Sequence, residues 1–157
     1  KEVEPLIGAL YFKVDDDFTA VSSQNNLFVY NRTGEKGSDC SITIQYAPGT
    51  SENHVKELFS GVKKTHAPAR DKNNNIAVEL DDYSSQESEL VINGNTWYYI
   101  NLFYRKDLNL EFTQLRYKYL TAIYQGYYYD VVLVNNGNDL TCSSSLDNFA
   151  KSLKFVS

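Results

Sequence analysis

The sequence predicts an α+β fold in which a twisted antiparallel sheet of about six to eight strands is sandwiched between two helices. Three observations predict it. Strand-forming side chains fill the stretch from Thr96 to Asn135, which has the length of three consecutive strands. The dipeptides Asn93-Gly94 and Gln125-Gly126 are typical of tight turns and make neighbouring strands antiparallel. Two other segments carry apolar residues at helical spacing.

The first part of the chain is expected to supply short strands joined by polar turns. In the predicted strand from Ala9 to Val14, apolar side chains alternate with others, which gives one apolar face. Ser41 to Tyr46 alternates in the same way and ends at Ala47-Pro48-Gly49. Between them, the sequence predicts an extended piece at residues 18–22 and a strand at residues 27–31.

Both predicted helices have a single apolar stripe. Thr50 or Ser51 caps the first, and Pro68 prevents its continuation past Ala67. Ser143, Ser144 or Ser145 is expected to cap the second. The stripes fall at i, i+3, i+4 and i+7: Val55, Leu58, Phe59 and Val62 in the first helix, and Leu146, Phe149, Ala150 and Leu153 in the second.

The second half is expected to form a long antiparallel meander. A loop is predicted at residues 69–75, an edge strand at 76–80, a polar and mobile segment from Asp81 to Gln86, and a turn from Arg105 to Asn109. Strands are predicted at residues 88–92, 96–104, 112–124 and 127–134, with a loop at 135–142 and the last residues, Phe155 and Val156, paired back on the sheet.

The central strands are apolar on both faces, so both faces need cover. Trp97, Tyr99 and Phe103 share one face of their strand, while Ile100 and Leu102 share the other. Each helix has one apolar stripe to bury, so we expect one helix on each face.

Length and composition limit the possible classes of protein. With 157 residues, the chain fits a single domain, 1–157, in which residues 1–7 are expected to be the end of a linker. The net charge of −5 argues against a nucleic-acid groove, which is normally basic. No apolar run reaches 18 residues. Because the sequence starts at Lys1 and contains no Met, we expect a processed or trimmed piece, which is compatible with an upstream signal peptide, lipid-attachment Cys or tether.

Cys40 and Cys142 either form a disulfide or are two buried free thiols. Each directly precedes a predicted element, and a sheet brings such ends together, so we expect the disulfide. It implies an oxidising, extracytoplasmic compartment. With no CxxC pair and two His in the chain, a zinc site is not expected.

Several groups of polar residues are candidates for metal or catalytic sites. Asp15-Asp16-Asp17 and the loop from Asn135 to Asp139 are rich in oxygen ligands, but both lack the spacing of a calcium loop. We therefore expect a solvated strand end and a turn, and no cofactor. His54 and His66 lie on or near the first helix without a nucleophile pattern, so we expect surface histidines.

Carboxylates and tyrosines give the two functional alternatives. Glu87 and Glu89 lie two apart on a strand, and with the nearby pair Asp81-Asp82 they make a secreted hydrolase the alternative function. Exposed tyrosines are favoured contact residues, so tyrosines beyond those that a core needs indicate a binding surface. The tyrosines expected there are Tyr98, Tyr104, Tyr124, Tyr127 and Tyr128. The alternative is that they fill the sheet–helix layers and the hairpin ends, with their hydroxyls reaching water.

The order of elements resembles the PsbP/Mog-type fold, and in particular domains of Gram-positive surface lipoproteins. Three segments carry the resemblance across most of residues 9–156: Gly94-Asn95-Thr96-Trp97, the hairpin from Tyr117 to Val131, and the ending from Leu146 to Phe155. The resemblance implies no catalytic residues.

The resemblance implies a non-enzymatic, extracytoplasmic accessory or binding domain, tethered to a bacterial surface. The expected partner is a protein or glycan, contacted through the tyrosines by a monomer whose only link to the membrane is an upstream lipid anchor. A purely structural spacer is a third possibility. A pocket of converging carboxylates would favour the hydrolase instead.

Overall fold

The computed structural model describes residues 2–3, 6–24, 26–32, 40–49, 53–66, 80–108, 111–136 and 140–156. The strands are β1 (Glu2–Val3), β2 (Leu6–Ile7), β3 (Leu10–Tyr11), β4 (Val14–Asp15), β5 (Phe18–Gln24), β6 (Leu27–Arg32), β7 (Cys40–Pro48), β8 (Leu80–Ile92), β9 (Asn95–Leu108), β10 (Glu111–Tyr124), β11 (Tyr127–Asn136) and β12 (Lys154–Phe155). The helices are α1 (Asn53–His66) and α2 (Leu140–Ser152).

One seven-stranded sheet forms the centre of the fold. Its order is β5-β6-β7-β11-β10-β9-β8, and every neighbouring pair is antiparallel. Consecutive strands form hairpins on both sides of the sheet, and β7 joins the two groups by pairing with β11. The sheet and its two helices confirm the α+β sandwich that the sequence predicts.

Two tight hairpins set the register of the central strands. Asn93 and Gly94 have φ of 48° and 85°, and Gln125 and Gly126 have φ of 48° and 81°. Positive φ at both central residues matches the right-handed twist of the flanking strands. The turns therefore place Asn95 opposite Ile92 and Tyr127 opposite Tyr124, as the dipeptides predict.

Each helix covers one face of the sheet. On one face, which we call the α1 face, Phe59 and Val62 of α1 pack against Ile100 and Leu102 of β9. On the other, the α2 face, the main core joins the α2 stripe to Trp97, Tyr129 and their neighbours. Buried positions alternate along β7 and β11, where one face is the more deeply buried, whereas β9 has buried side chains on both faces, Trp97 on one and Ile100 and Leu102 on the other.

The two ends of the described chain meet in a small sheet beside the main one. β3 pairs with both β2 and β12, which places Leu10 opposite Phe155. The strand expected at residues 9–14 is therefore divided into β3 and β4, and the expected return of Phe155 to the main sheet is replaced by this pairing. Ile7 is 4% exposed, so the fold begins within the stretch expected to be a linker.

Three predicted boundaries are wrong. The segment from Asp81 to Gln86 belongs to β8, because an edge strand facing solvent accommodates polar side chains while its backbone pairs with β9. Residues 105–108 are not a turn, since β9 and β10 stay paired up to Leu108 and Glu111. α2 begins at Leu140, three residues before the expected serine caps.

Some expectations lie outside the described residues. They are the helix cap at Thr50 or Ser51, the loop at 69–75, the edge strand at 76–79 and the oxygen-rich positions 137–139. Within the described part of the chain, neither helix has the length and apolar character needed to cross a membrane.

Cys40 and Cys142 form a disulfide with a Cα–Cα distance of 5.8 Å. Cys40 is the first residue of β7 and lies opposite Asn135 of β11, while Cys142 lies in the first turn of α2. The bond therefore fixes the beginning of α2 to the middle of the sheet. It links two residues that are 102 positions apart in the sequence.

The single tryptophan, Trp97, is fully buried on the α2 face. Its ring stacks on Phe155 with a centroid distance of 5.5 Å and an interplanar angle of 8°. Phe155 also stacks on Tyr124, at 4.3 Å. The C-terminal strand is thus held by aromatic contacts as well as by its pairing with β3.

The two helix layers predict two matched losses of stability. Phe59→Ala and Phe149→Ala each remove a buried ring, so each should lower the free energy of unfolding by about 3–5 kcal/mol. Denaturant unfolding measures the loss. Val91→Ala, at a position 70% exposed, is the control and should change stability by less than about 0.5 kcal/mol. Little loss from both Phe variants would contradict a core on each face of the sheet.

Candidate functional site

A groove of about 480 Å³ lies on the α2 face, between α2, the middle of β9 and β10, and the last residues of β11. Its floor consists of two rows of side chains across the sheet. In the first row, Arg116 lies between Phe103 and Asn135. In the second, Lys118 lies between Asn101 and Leu133. A basic side chain therefore occupies the centre of each row.

The two basic side chains are held over aromatic rings. The guanidinium carbon of Arg116 lies 5.1 Å from the centre of the Phe103 ring, and the Lys118 Nζ lies 5.4 Å from that of Tyr99. These cation–π contacts orient the cations without neutralising them. Within the part of the chain that the structure describes, no carboxylate forms an ion pair with either. The floor of the groove therefore presents positive charge.

The wall of the groove comes from the first turns of α2. Ser143, Leu146 and Asp147 line it, and Ser143 Oγ accepts a 2.7 Å hydrogen bond from Asn135 Nδ2. The disulfide at Cys142 is one residue away, so it fixes this wall relative to the floor. Among the described residues that line it, the groove thus combines two cations, the Asn101 carboxamide and the hydrogen-bonded pair of Asn135 and Ser143 with one carboxylate, that of Asp147.

Sequence reasoning missed this groove. A signal for it is present, because Arg116 and Lys118 alternate with Tyr117 and Tyr119 and must share one face of their strand. Their partners on β11 follow from the Gln125-Gly126 turn, but the register of β9 and the position of α2 do not follow from the sequence alone.

The tyrosines expected to form one surface are divided between the two faces. Tyr98 and Tyr128 lie on the α1 face, while Tyr124 and Tyr127 lie on the α2 face with Tyr129. Tyr124 packs on Phe155, whereas Tyr98 and Tyr127 are 36% and 39% exposed. The side chain of Tyr104 lies outside the described residues. The structure therefore does not bring these five side chains together.

His54 is part of a hydrogen-bonded cluster on the α1 face. Its Nε2 lies 3.0 and 3.1 Å from the two carboxylate oxygens of Asp130, and Thr121 Oγ1 donates a 2.6 Å hydrogen bond to Asp130 Oδ1. The His54 ring stacks on Tyr128 at 3.9 Å. Asp130 thus joins α1 to β10 and β11.

This cluster differs from a nucleophilic triad. In such a triad the histidine lies between the nucleophile and the carboxylate. Here the carboxylate is in the middle, and the Thr121 hydroxyl, which is fully buried, donates to Asp130 rather than to His54. The geometry is that of a structural clamp. His66, the other candidate histidine, ends α1, and its side chain lies outside the described residues.

The carboxylates weighed for hydrolysis lie on the edge strand β8. Glu87 and Glu89 are exposed on the α1 face, and Lys63 of α1 donates a 3.3 Å hydrogen bond to Glu87 Oε2. The side chains of Asp81 and Asp82 lie outside the described residues. Glu87 is therefore partly neutralised by α1, on the opposite side of the sheet from the groove.

The aspartates expected at a solvated strand end are Asp15, in β4, and Asp16 and Asp17, in the following turn. Among the described residues, no three His, Cys, Asp or Glu side chains are grouped as metal ligands.

Two tyrosines have altered acidity. Burial raises the pKa of the Tyr30 hydroxyl. The pKa of Tyr119, beneath α1, is raised by burial first and by the neighbouring Tyr117 second. Both shifts keep the hydroxyl neutral, which suits a tyrosine packed between sheet and helix.

No protein-family model matches the sequence. No curated protein matches it either.

Solved structures are similar in fold. Cyanobacterial PsbP (CyanoP) from Synechocystis sp. PCC 6803 has a TM-score of 0.60 and 11% identity, over 99% of this chain and 92% of that one. LpqN, involved in cell envelope biogenesis of Mycobacterium tuberculosis, has a TM-score of 0.56 and 13% identity, over 100% and 91%. The Saccharomyces cerevisiae Ran-binding protein Mog1p has a TM-score of 0.56 and 12% identity, over 99% and 95%.

The chain therefore has the PsbP/Mog-type fold that the sequence resembles. It also spans 48% of the length of a Bacteroides thetaiotaomicron protein, with a TM-score of 0.56 and 8% identity. At these identities the similarity concerns the fold alone, and the site must be argued from the residues of this chain.

The His54 cluster predicts a stability effect. Asp130→Ala leaves the buried Thr121 hydroxyl without its acceptor, so it should lower the free energy of unfolding by about 1–3 kcal/mol. Glu89→Ala, which removes an exposed carboxylate on the same face, is the control and should have little effect. In a double-mutant cycle, His54→Ala and Asp130→Ala should be non-additive. Additive losses would show that the two side chains are not coupled.

Proposed function

We propose that this chain is a non-enzymatic, extracytoplasmic binding or accessory domain that contacts a protein or glycan at a bacterial cell surface. The groove beside α2 carries the proposal. It is a concave site with a few polar groups at fixed positions, which is the usual form of a binding site. In this proposal the groove, rather than the five tyrosines as one surface, is the main contact.

The chemistry of the groove favours binding over catalysis. Arg116 and Lys118 are charged donors, the amide of Asn101 both donates and accepts, and among the described residues Asp147 is the one carboxylate in the lining. Hydrolysis of a glycoside uses two carboxylates on opposite sides of one bond. The carboxylates of β8 are on the other face, where Lys63 contacts Glu87, so they support a hydrolase less well.

Two observations support the extracytoplasmic location. The disulfide between Cys40 and Cys142 suits an oxidising compartment. LpqN, whose fold is similar, is involved in cell envelope biogenesis. In the proposal, the domain is a monomer held at the surface by an upstream lipid anchor, as in the lipoproteins that the sequence resembles.

A second contact surface is proposed on the α1 face. Val91 and Tyr98 are 70% and 36% exposed there, on the neighbouring strands β8 and β9. An exposed tyrosine beside an exposed aliphatic side chain gives contact area at low entropic cost. This surface retains part of the tyrosine hypothesis, but it is flat and holds fewer polar groups than the groove.

A groove-filling variant tests the main contact. Asn101→Trp places a large ring in the groove, and strands accept tryptophan well, so the fold should persist. On arrays of immobilised peptides and bacterial surface glycans, it should lose at least tenfold in affinity for whatever the parent chain binds. Thr96→Trp introduces the same ring on the same strand but on the α1 face, opposite Val91, so it compares the groove with the second surface.

The reverse result would contradict the groove. If Thr96→Trp removes binding and Asn101→Trp does not, the α1 face is the contact surface. If the parent chain binds no member of the arrays and instead hydrolyses one of the glycans, the alternative function is correct.

A thiol count tests the compartment. In unfolded, unreduced protein purified from its native host, we expect no free thiol in the monomer, because Cys40 and Cys142 are joined. Reaction with a chromogenic disulfide reagent measures it, and the same protein after reduction is the positive control. Two free thiols per chain would remove the main support for an oxidising compartment.

A further inference from the structure

We propose that the groove binds an extended acidic peptide segment, with Arg116 and Lys118 each receiving one of two carboxylates that are two residues apart. The inference rests on the proposed function and names its ligand. It follows from the spacing, the surroundings and the charge of the two cations.

Spacing is the first argument. Arg116 and Lys118 are two apart on β10, so their Cα atoms are about 7 Å apart and their side chains leave the same face. Carboxylates at positions i and i+2 of an extended peptide have the same separation. Arginine and lysine both form charge-assisted hydrogen bonds with carboxylates.

The aromatic rings give the second argument. Sugars are commonly bound on the open faces of aromatic rings, but here Arg116 lies over Phe103 and Lys118 over Tyr99. Those ring faces are therefore occupied by cations. The neighbouring carboxamide of Asn101 matches the donors and acceptors of a peptide backbone instead.

Charge is the third argument. The chain has a net charge of −5, so a locally positive floor is a departure from its average surface. Asp147 on the wall repels a ligand that is negative on all sides, such as a polyphosphate. An extended peptide that carries both carboxylates on one face can place them on the two cations and present its uncharged side to Asp147.

Labelled peptides provide the test. The probe has two glutamates that flank one valine in a Gly/Ser frame. Its controls are a peptide with both glutamates changed to glutamine and one with the two glutamates adjacent. Fluorescence anisotropy at low ionic strength measures binding to the full chain, and polygalacturonate and inorganic phosphate serve as competitors.

The variant Arg116→Gln/Lys118→Gln has a control with the same change of charge, Lys56→Gln/Lys64→Gln, on exposed positions of α1. We expect the first to bind the probe at least tenfold more weakly, about 1.4 kcal/mol, and the second to bind as the parent does. The glutamine peptide and the adjacent-glutamate peptide should bind more weakly than the probe. Added salt should weaken the binding of the probe to the protein, because it screens the charges.

Other outcomes overturn the inference. Equal binding of the probe and its glutamine control, or equal losses in both double variants, would show that the groove does not recognise carboxylates. If the probe does not bind but polygalacturonate binds tightly, the ligand of the groove is an anionic glycan. If inorganic phosphate is the one competitor that displaces the probe, the ligand is a small anion. In those last two cases Asn101→Trp still abolishes binding, so the proposed function stands while the peptide inference fails. If Asn101→Trp has no effect on any ligand, both fail.

Discussion

The constraint on which the rest of this structure depends is a sheet whose central strands are apolar on both faces. Ile100 and Leu102 on one side, and Trp97 on the other, would each face water without a covering layer. Two helices supply that cover, and neither could be removed without exposing a core. Since α2 covers the α2 face only in part, the groove is a consequence of the same layering that stabilises the fold.

Local signals in the sequence predicted most of the fold. Asn93-Gly94 predicted a hairpin because both residues accept positive φ. The helical spacing of the apolar residues around Phe59 and around Phe149 predicted which face of each helix is buried. The polar stretch from Asp81 to Gln86 misled the prediction, because β8 is an edge strand. There, backbone pairing with β9 decides the structure and side-chain polarity has little influence.

The candidate site was less accessible from sequence, because it depends on pairs of residues far apart in the chain. Arg116 and Phe103 become neighbours only through the register of β9 and β10, which the turn predicted at residues 105–109 did not give. His54 and Asp130 are separated by 76 residues, so no local pattern joins them. The number of tyrosines in the strands suggested one contact surface. Successive residues of a strand point to opposite faces, however, so Tyr127 and Tyr128 lie on opposite sides of the sheet.

The stacking of Trp97 on Phe155 gives this protein an intrinsic optical reporter. With one tryptophan in the chain, all indole emission arises from a fully buried ring that touches the last strand. A buried indole emits at shorter wavelength than one in water, so release of β12 would shift the spectrum even if the seven-stranded sheet stayed intact. Tryptophan fluorescence therefore follows the closure of the chain ends, and far-ultraviolet circular dichroism follows the sheet and helices. A difference between the two unfolding curves would reveal an opening of the C-terminal strand before global unfolding.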